Sequence, residues 1–344
     1  MYGGPLRNLA LAGSAEDIGA THGLRLAEHI RAYLSDRLDL AGDSYWAGRE
    51  EDADRILEMA TATLDLHDQF SEELYAEMVA MATSAGITPA EAVVVGGFTD
   101  LIDLVRAAGQ PGIEEDDCTG VIDAENGLIA QTWDMHASAG EYVYLFDIRP
   151  DNRPRAIVQS TAGCVGQIGI NEAGIAIGIN NLTSIGRPGV TWPFVVRKVL
   201  EQSNLDDAVK VVLDAKLAGG HNFMLMGSDG AGCNIEAMPG SRQVTSVDSG
   251  SFVHTNHCLD AATRAEEGLR NPLNEASSDG RLELGRSLAS NLDSFFADPE
   301  INREAATPHD VATCGAVVMR PAARTIEAVW GQPGSQPWER FDFG

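Results

Sequence analysis

The sequence predicts an α+β fold in which stacked antiparallel sheets are covered by helices. Three observations predict it. Apolar residues recur at three- and four-residue spacing between residues 14 and 110, short β-type runs take over after residue 118, and helical stretches interrupt those runs further on.

The elements follow in order. Ser14-Ala-Glu-Asp17 has the form of a capping box ahead of Ile18 and a helical segment over 22–40. Segments 51–66, 70–84 and 88–108 carry helical periodicity, the last opening with Thr88 as cap and Pro89 at the first position. Gly109-Gln110-Pro111-Gly112 then breaks the pattern, and the acidic run Glu114 to Asp117 follows, which makes this stretch the best linker in the chain. Strands are predicted over 118–123, 127–133, 141–148, 155–160, 165–170 and 174–180, with Asn126-Gly127 and Glu172-Ala173-Gly174 supplying tight turns. Helices follow near 192–202 and 205–216. Strands resume at 222–227, 232–237, 242–247 and 251–255, then a helix near 280–294 and strands near 314–320 and 325–330.

Composition bounds the function. The chain has 344 residues, 44% hydrophobic and 22% charged, so it can bury a sizeable core. Its net charge of −27, with lysine only at positions 198, 210 and 216, repels phosphate backbones and anionic lipid. Neither nucleic acid nor membrane is expected as a partner, and a solubility adaptation is the plain account of the charge. No apolar stretch reaches 18 residues and the first residues lack the form of a secretory signal. Five scattered cysteines without CxxC spacing argue against a disulfide framework and for a reducing, cytoplasmic setting.

Cys118 sits where the helical period gives way to the strand period, directly behind the acidic run. A cut at Asp117–Cys118 would give Cys118 a free α-amine beside its own thiol. Such an amine has a pKa of about 7.7–8.0, so one residue would supply both nucleophile and general base. The same thiol could drive the cut through an N-to-S acyl shift. Burial as a small hydrophobe is the ordinary alternative for a cysteine. His254, His257 and Cys258 could suggest a metal, but no second ligand pair stands at zinc-like spacing, and no metal or cofactor is expected.

Four motifs in order carry a resemblance: Asp-Cys-Thr at 117–119, Asn-Gly-Leu-Ile-Ala-Gln-Thr-Trp-Asp at 126–134, Gly-Gln-Ile-Gly-Ile-Asn-Glu-Ala-Gly-Ile-Ala at 166–176, and His-Thr-Asn-His-Cys-Leu at 254–259. Together with Ile18-Gly19-Ala20-Thr21-His22-Gly23, they make the chain resemble the acyl-coenzyme A:6-aminopenicillanic-acid acyltransferase family of self-cleaving N-terminal-nucleophile cysteine enzymes. The resemblance implies an αββα sandwich of two stacked antiparallel sheets with a helical N-terminal segment. It also implies a cut between Asp117 and Cys118, so that a small chain of 1–117 stays bound to a catalytic chain of 118–344.

By position, Cys118 would be the nucleophile, Asp134 the carboxylate that orients the new amine, and Asn256 an oxyanion donor, a task suited to a neutral amide. Supporting candidates are Thr119, Asn180 and Asn181, with His254 and His257 shaping the turn that presents Asn256. The chain departs from the fungal pattern at Asp117, where that pattern has Gly, and at Val311-Ala-Thr-Cys-Gly315, where it has Arg. Either Thr313 and Cys314 replace that arginine, or the substrate differs. The implied activity is hydrolysis of a small N-acyl amine or amino-acid conjugate through a thioester. The alternatives are acyl transfer from a thioester such as acyl-coenzyme A to an amine, or an uncut relative with a binding role. The oligomeric state is left open.

Overall fold

The computed structural model describes residues 4–107 and 109–344. The chain enters through β1 (Asn8–Gly13) and continues through α1 (Ala15–Gly42), α2 (Ser44–Ala47), α3 (Ala53–Thr61), α4 (Leu64–Phe70), α5 (Glu72–Ala85), α6 (Pro89–Gly96) and α7 (Phe98–Arg106). The next strands are β2 (Gly120–Asp123), β3 (Leu128–His136), β4 (Val143–Pro150), β5 (Ala156–Thr161), β6 (Ile168–Asn171) and β7 (Ala176–Leu182), with a 3₁₀ turn over Ala137–Tyr142. After α8 (Trp192–Val199) and α9 (Leu205–Asp214) come β8 (Gly220–Met226), β9 (Gly232–Ala237), β10 (Arg242–Val247) and β11 (Ser251–His254). The chain closes with α10 (Ala261–Arg264), α11 (Pro272–Leu288), α12 (Leu292–Ala297), β12 (Val311–Arg320), β13 (Thr325–Trp330) and β14 (Glu339–Asp342).

Among the described residues the strands form an eight-stranded sheet, ordered β1-β4-β5-β6-β7-β8-β9-β10, and a six-stranded sheet, ordered β11-β2-β3-β12-β13-β14. The two sheets stack through β2, β3, β12 and β13 on one side and β6, β7 and β8 on the other. Two glutamines stitch them together. Gln131 accepts from the Ile179 N–H at 2.9 Å and donates to the Ile179 carbonyl, while Gln159 donates to the Val329 carbonyl at 2.9 Å. Gly120 and Gly178 permit this approach, since a Cβ on either would run into the Met224 side chain. On the outer face of the six-stranded sheet, Leu282, Phe295 and Phe296 of α11 and α12 pack on Val121, Ala130, Val253 and Val318. On the eight-stranded sheet, α9 covers β8 and β9, and α1 covers β1 and β4. Helix, sheet, sheet and helix layers make the expected αββα sandwich.

Both predicted caps form. Ser14 and Asp17 make a reciprocal box at α1, and Thr88 and Glu91 another at α6 with Pro89 in the first turn. Several boundaries differ from expectation for visible reasons. The helix expected over 88–108 breaks at Gly97, whose missing Cβ lets Thr191 press against it. The segment 51–66 divides around Ala62 and Thr63, and the helix near 280–294 starts earlier, capped by Asn271, and restarts at Leu292. The N-terminal segment is not purely helical, because β1 pairs with β4. That pairing is parallel, so the eight-stranded sheet has one parallel edge on an otherwise antiparallel ladder. Among the described residues no single helix is long and apolar enough to cross a membrane.

The acidic linker is where expectation and structure differ most. A run of four carboxylates suggests a solvated loop, yet Glu115, Asp116 and Asp117 are buried. Gly112 lies against the Trp46 carbonyl, too close for any side chain, and steers the run inward.

Candidate active site

Cys118 and Thr119 precede β2, which itself starts at Gly120 rather than at Cys118. The ladder between β2 and β3 sets their neighbours. Gly120 pairs with Gln131, and the Thr132 N–H donates to the Thr119 carbonyl at 3.0 Å. Cys118 therefore lies beside Asp134. Its Sγ accepts from the Asp134 N–H at 3.4 Å, and the thiol points to the Asp134 carbonyl at 3.7 Å. The residue is only 2% exposed. Burial first, then the charges of Asp116 and Asp134, push the thiol well above its ordinary pKa, so the uncut chain holds it protonated.

The Cys118 carbonyl is gripped from two layers. Asn180 of β7 donates to it at 3.1 Å from the facing sheet, and Arg281 of α11 donates at 2.9 Å from the helix layer. Asn180 can reach because strand residues alternate, so it shares with Gly178 the face turned toward the other sheet. The Asn180 side-chain oxygen accepts from the Asn222 amide at 3.2 Å. The Arg281 side chain is fully buried. It also donates to Thr119 Oγ1 at 2.9 Å, to Asp117 Oδ1 at 2.8 Å and to Asn256 Oδ1 at 3.1 Å. Burial draws its guanidinium down to about 10, which still leaves it charged at neutral pH.

Asp134 stands opposite Thr313 in the β3–β12 ladder and accepts from the Thr313 hydroxyl at 2.8 Å. The register shifts between Thr313 and Gly315, a bulge of the kind that re-aims side chains beside active sites. Cys314 is the extra residue, and its sulfur faces the backbone carbonyls of Ala312, Met135 and His136 instead of the site. Asp134 Oδ2 is buried with no partner in hydrogen-bond geometry among the described residues, although Thr132 lies close enough to ease its charge. Burial raises this carboxyl to about 7 against the help of Thr313, Arg281 and Thr132.

Asn256 arrives on the loop after β11, whose last residue, His254, pairs with Gly120. Its amide donates to the Asn181 carbonyl at 3.2 Å, its oxygen takes the Arg281 hydrogen bond, and its N–H bonds Ser278 Oγ at 3.0 Å. The two histidines bond the loop itself. His254 bridges Glu236 (2.9 Å) and the Thr255 carbonyl (2.8 Å), and His257 meets Ser278 Oγ at 2.8 Å. Glu236 also accepts from the N–H groups of Leu259 and Asp260 and from Thr263, so one carboxylate fastens the whole turn. Asn181 stands beside Asp116, which burial and Glu115 raise to about 7.

Asp117, on the acyl side of the predicted cut, pairs with Arg281 at 2.8 Å and with Arg303, and accepts from Ser277 at 3.2 Å. Glu115 pairs with Arg270 at 2.8 Å and lies 3.6 Å from Arg106. Arg303 and Thr313 also line an open cavity of about 640 Å³ beside the site. The structure thus brings Cys118, Thr119, Asp134, Asn180 and Asn256 together, and sets Asn181 at their edge.

Of the two residues in the stretch that departs from the fungal pattern, Thr313 serves Asp134 and Cys314 faces away, while two arginines from elsewhere in the chain, Arg281 and Arg303, occupy the site. Sequence reasoning missed both, along with Glu236. Arg281 is an ordinary polar position within a helix until packing sets it over Cys118.

Residues 122–334, more than half of the chain, match the family model described as acyl-coenzyme A:6-aminopenicillanic acid acyl-transferase. That span takes in Asp134, Asn256, Arg281 and Thr313 and begins just after Cys118. Over 175 residues the chain is 30% identical to the acyl-coenzyme A:6-aminopenicillanic-acid-acyltransferase 40 kDa form of Emericella nidulans, covering 49% of this chain and 48% of that protein. The match therefore spans about half the length of that curated relative. Among solved structures, a variant of the conjugated bile acid hydrolase from Clostridium perfringens is similar at 10% identity and a TM-score of 0.46, covering 65% of this chain and 92% of that one. The penicillin V acylase from Agrobacterium tumefaciens is similar at 12% identity and a TM-score of 0.36, covering 62% and 82%. On the family match, which takes in most strands of both sheets and most of the residues gathered around Cys118, the chain belongs to the acyl-coenzyme A:6-aminopenicillanic acid acyl-transferase family.

Proposed function

We propose that the chain is a precursor that cuts itself between Asp117 and Cys118 and then hydrolyses a small N-acyl amine or amino-acid conjugate. One observation carries this reading. The buried Asp134 carboxyl has an unpartnered oxygen beside Cys118, where a new α-ammonium would give it a partner and draw its pKa back down.

In the cut, Cys118 Sγ attacks the Asp117 carbonyl carbon. A C–S bond forms, the C–N bond breaks, and the former peptide nitrogen takes the thiol proton to become the α-amine. Water then attacks the thioester and the C–S bond breaks, leaving fragment 1–117 with a C-terminal carboxylate. In turnover the α-amine takes the thiol proton, the sulfur attacks the substrate carbonyl, and the C–N bond breaks with the proton passing to the leaving amine. Water then cleaves the thioester to release the acid and restore the thiol. The amide of Asn256, which in the precursor donates to the Asn181 carbonyl, serves the oxyanion in turnover, with backbone N–H groups. Asn180 and Arg281 hold the nucleophile's own carbonyl and so fix Cys118 in place.

Buried contacts support lasting association of the fragments. Asp100 meets His221 at 2.9 Å, Asp103 accepts from Ser184 at 2.6 Å, and β1 pairs along β4. Water is favoured over an amine as acyl acceptor, because a −27 surface with three lysines disfavours a phosphate-rich coenzyme A donor. The family's name keeps acyl transfer as the second reading.

Intact-mass measurement on purified protein tests the cut. Fragments 1–117 and 118–344 are expected from the native sequence and one uncut chain from Cys118→Ala. An uncut native chain would overturn the reading. Free acid released from N-acyl amines without added amine decides for hydrolysis, and product formed only with an acceptor amine decides for transfer.

A further inference from the structure

Resting on the self-cleaving hydrolase reading, we propose that the acidic linker is a template for the substrate, and that the enzyme selects amides whose acyl half carries a carboxylate. In the uncut chain, Asp117 supplies the carbonyl that Cys118 attacks, so its side chain occupies the position of an acyl substituent. That side chain is a carboxylate two carbons from the scissile carbonyl, the skeleton of a succinyl group. It is held by Arg281 at 2.8 Å, by Arg303, and by Ser277 at 3.2 Å. Ser277 is braced in turn by both arginines, at 3.4 Å from Arg281 Nε and 3.2 Å from Arg303 Nη1. Farther along the linker, Glu115 is held by Arg270 and faces Arg106.

Four arginines thus face the linker carboxylates in a chain of net charge −27. The linker carboxylates that face them, Asp117 and Glu115, lie on the end that the cut detaches from Cys118, while the rest of fragment 1–117 stays docked. A buried guanidinium that loses its carboxylate is left uncompensated at a cost of several kcal/mol. Each vacated position therefore favours the next anion of matching shape. Arg303 is the point of selection, because it is partly exposed and lines the open cavity together with Thr313, Ala312 and Pro308. An acyl group entering from that cavity meets Arg303 before it reaches Cys118. A succinyl-type group can then form the forked carboxylate contact that Asp117 makes in the precursor.

A matched pair of chromogenic anilides, succinyl and butyryl, tests this, because they differ only by a carboxylate in place of a terminal methyl. On native protein shown by intact mass to be cut, kcat/KM is expected to favour the succinyl compound by about tenfold or more, and less at high salt. Arg303→Met should bring the ratio to within about twofold, and Arg303→Lys should restore part of it. Equal or better hydrolysis of the butyryl compound by the cut native enzyme, or a ratio unchanged in Arg303→Met, overturns the proposal while leaving the hydrolase reading intact. If the cut enzyme turns over neither compound, protection of Cys118 from iodoacetamide by succinamic acid but not by butyramide upholds it, and equal or absent protection sinks it. A chain that never cuts overturns the hydrolase reading and this proposal together.

Discussion

Replacing Asp134 by Asn in an uncut Cys118→Ala background should make the precursor more stable at neutral and alkaline pH. Asp134 is fully buried, its Oδ2 has no hydrogen-bond partner among the described residues, and burial raises its carboxyl from 3.8 to about 7. Between those values the native chain holds a proton that the unfolded chain has released. Stability tied to this group is therefore fully present below 3.8 and is lost as pH rises through about 7. The raised value corresponds to at most about 4 kcal/mol against the charged form. Coupling to Asp116 and Arg281 reduces that figure, as does the amide hydrogen that Asn would set at the unpartnered position. A net gain of about 1–3 kcal/mol at pH 8 is expected, shrinking toward zero near pH 4. Urea denaturation of the Cys118→Ala chain with and without Asp134→Asn, at both pH values, measures it. A difference that stays constant or falls as pH rises would refute the assignment of an unpaired, desolvated carboxylate.

Arg281→Met should destabilise the precursor by about 3–5 kcal/mol, because it strips a buried cation from Asp117, and should slow the cut in a time course of intact mass. Glu236→Gln should loosen the turn that carries Asn256. Although burial opposes it, His254, Thr263 and the Leu259 N–H draw Glu236 down to about 2, so its contribution is present above the usual 4.5 and fades as pH falls toward 2. A loss of about 2–4 kcal/mol at pH 7, seen by denaturation and much reduced near pH 3, is the expected result. Gly19→Ala should cost about 1–3 kcal/mol in thermal unfolding, since a Cβ there would overlap the Glu77 carbonyl of α5, whereas Gly280→Ala, with open space around it, should not destabilise α11.

Local chemistry was legible in the sequence. The capping box at Ser14, the cap at Thr88 and the change of period after the linker each report what a residue does to its own neighbours. Cys118, Asp134 and Asn256 were legible because their motifs stand in order, and the ladders that join them run through adjacent strands. What stayed hidden depends on distant packing. Arg281 lies 163 positions from Cys118 and reads as one more charged residue on a helix. Glu114 to Asp117 read as a linker because their counter-charges, Arg106, Arg270, Arg281 and Arg303, are scattered through the chain. The orientation of Cys314 was equally hidden, because a bulge adds one residue to β12 and turns its side chain away from the site. Gly19 and Gly23, noted only as part of a motif, prove to be the close crossing of α1 over α5, where a Cβ would strike the Glu77 and Met81 carbonyls.

The pairing of β1 with β4 determines what kind of object the cut would leave. Residues 8–13 lie along residues 145–150 as an outermost strand, contributed by the fragment that ends at Asp117. The catalytic fragment alone would present the bare hydrogen-bonding edge of β4 to other chains, an invitation to aggregate. Proteolysis would convert one chain into a heterodimer whose smaller member completes the larger one's sheet. Expressing 118–344 without its partner should therefore yield insoluble protein, and supplying 1–117 during folding should restore solubility.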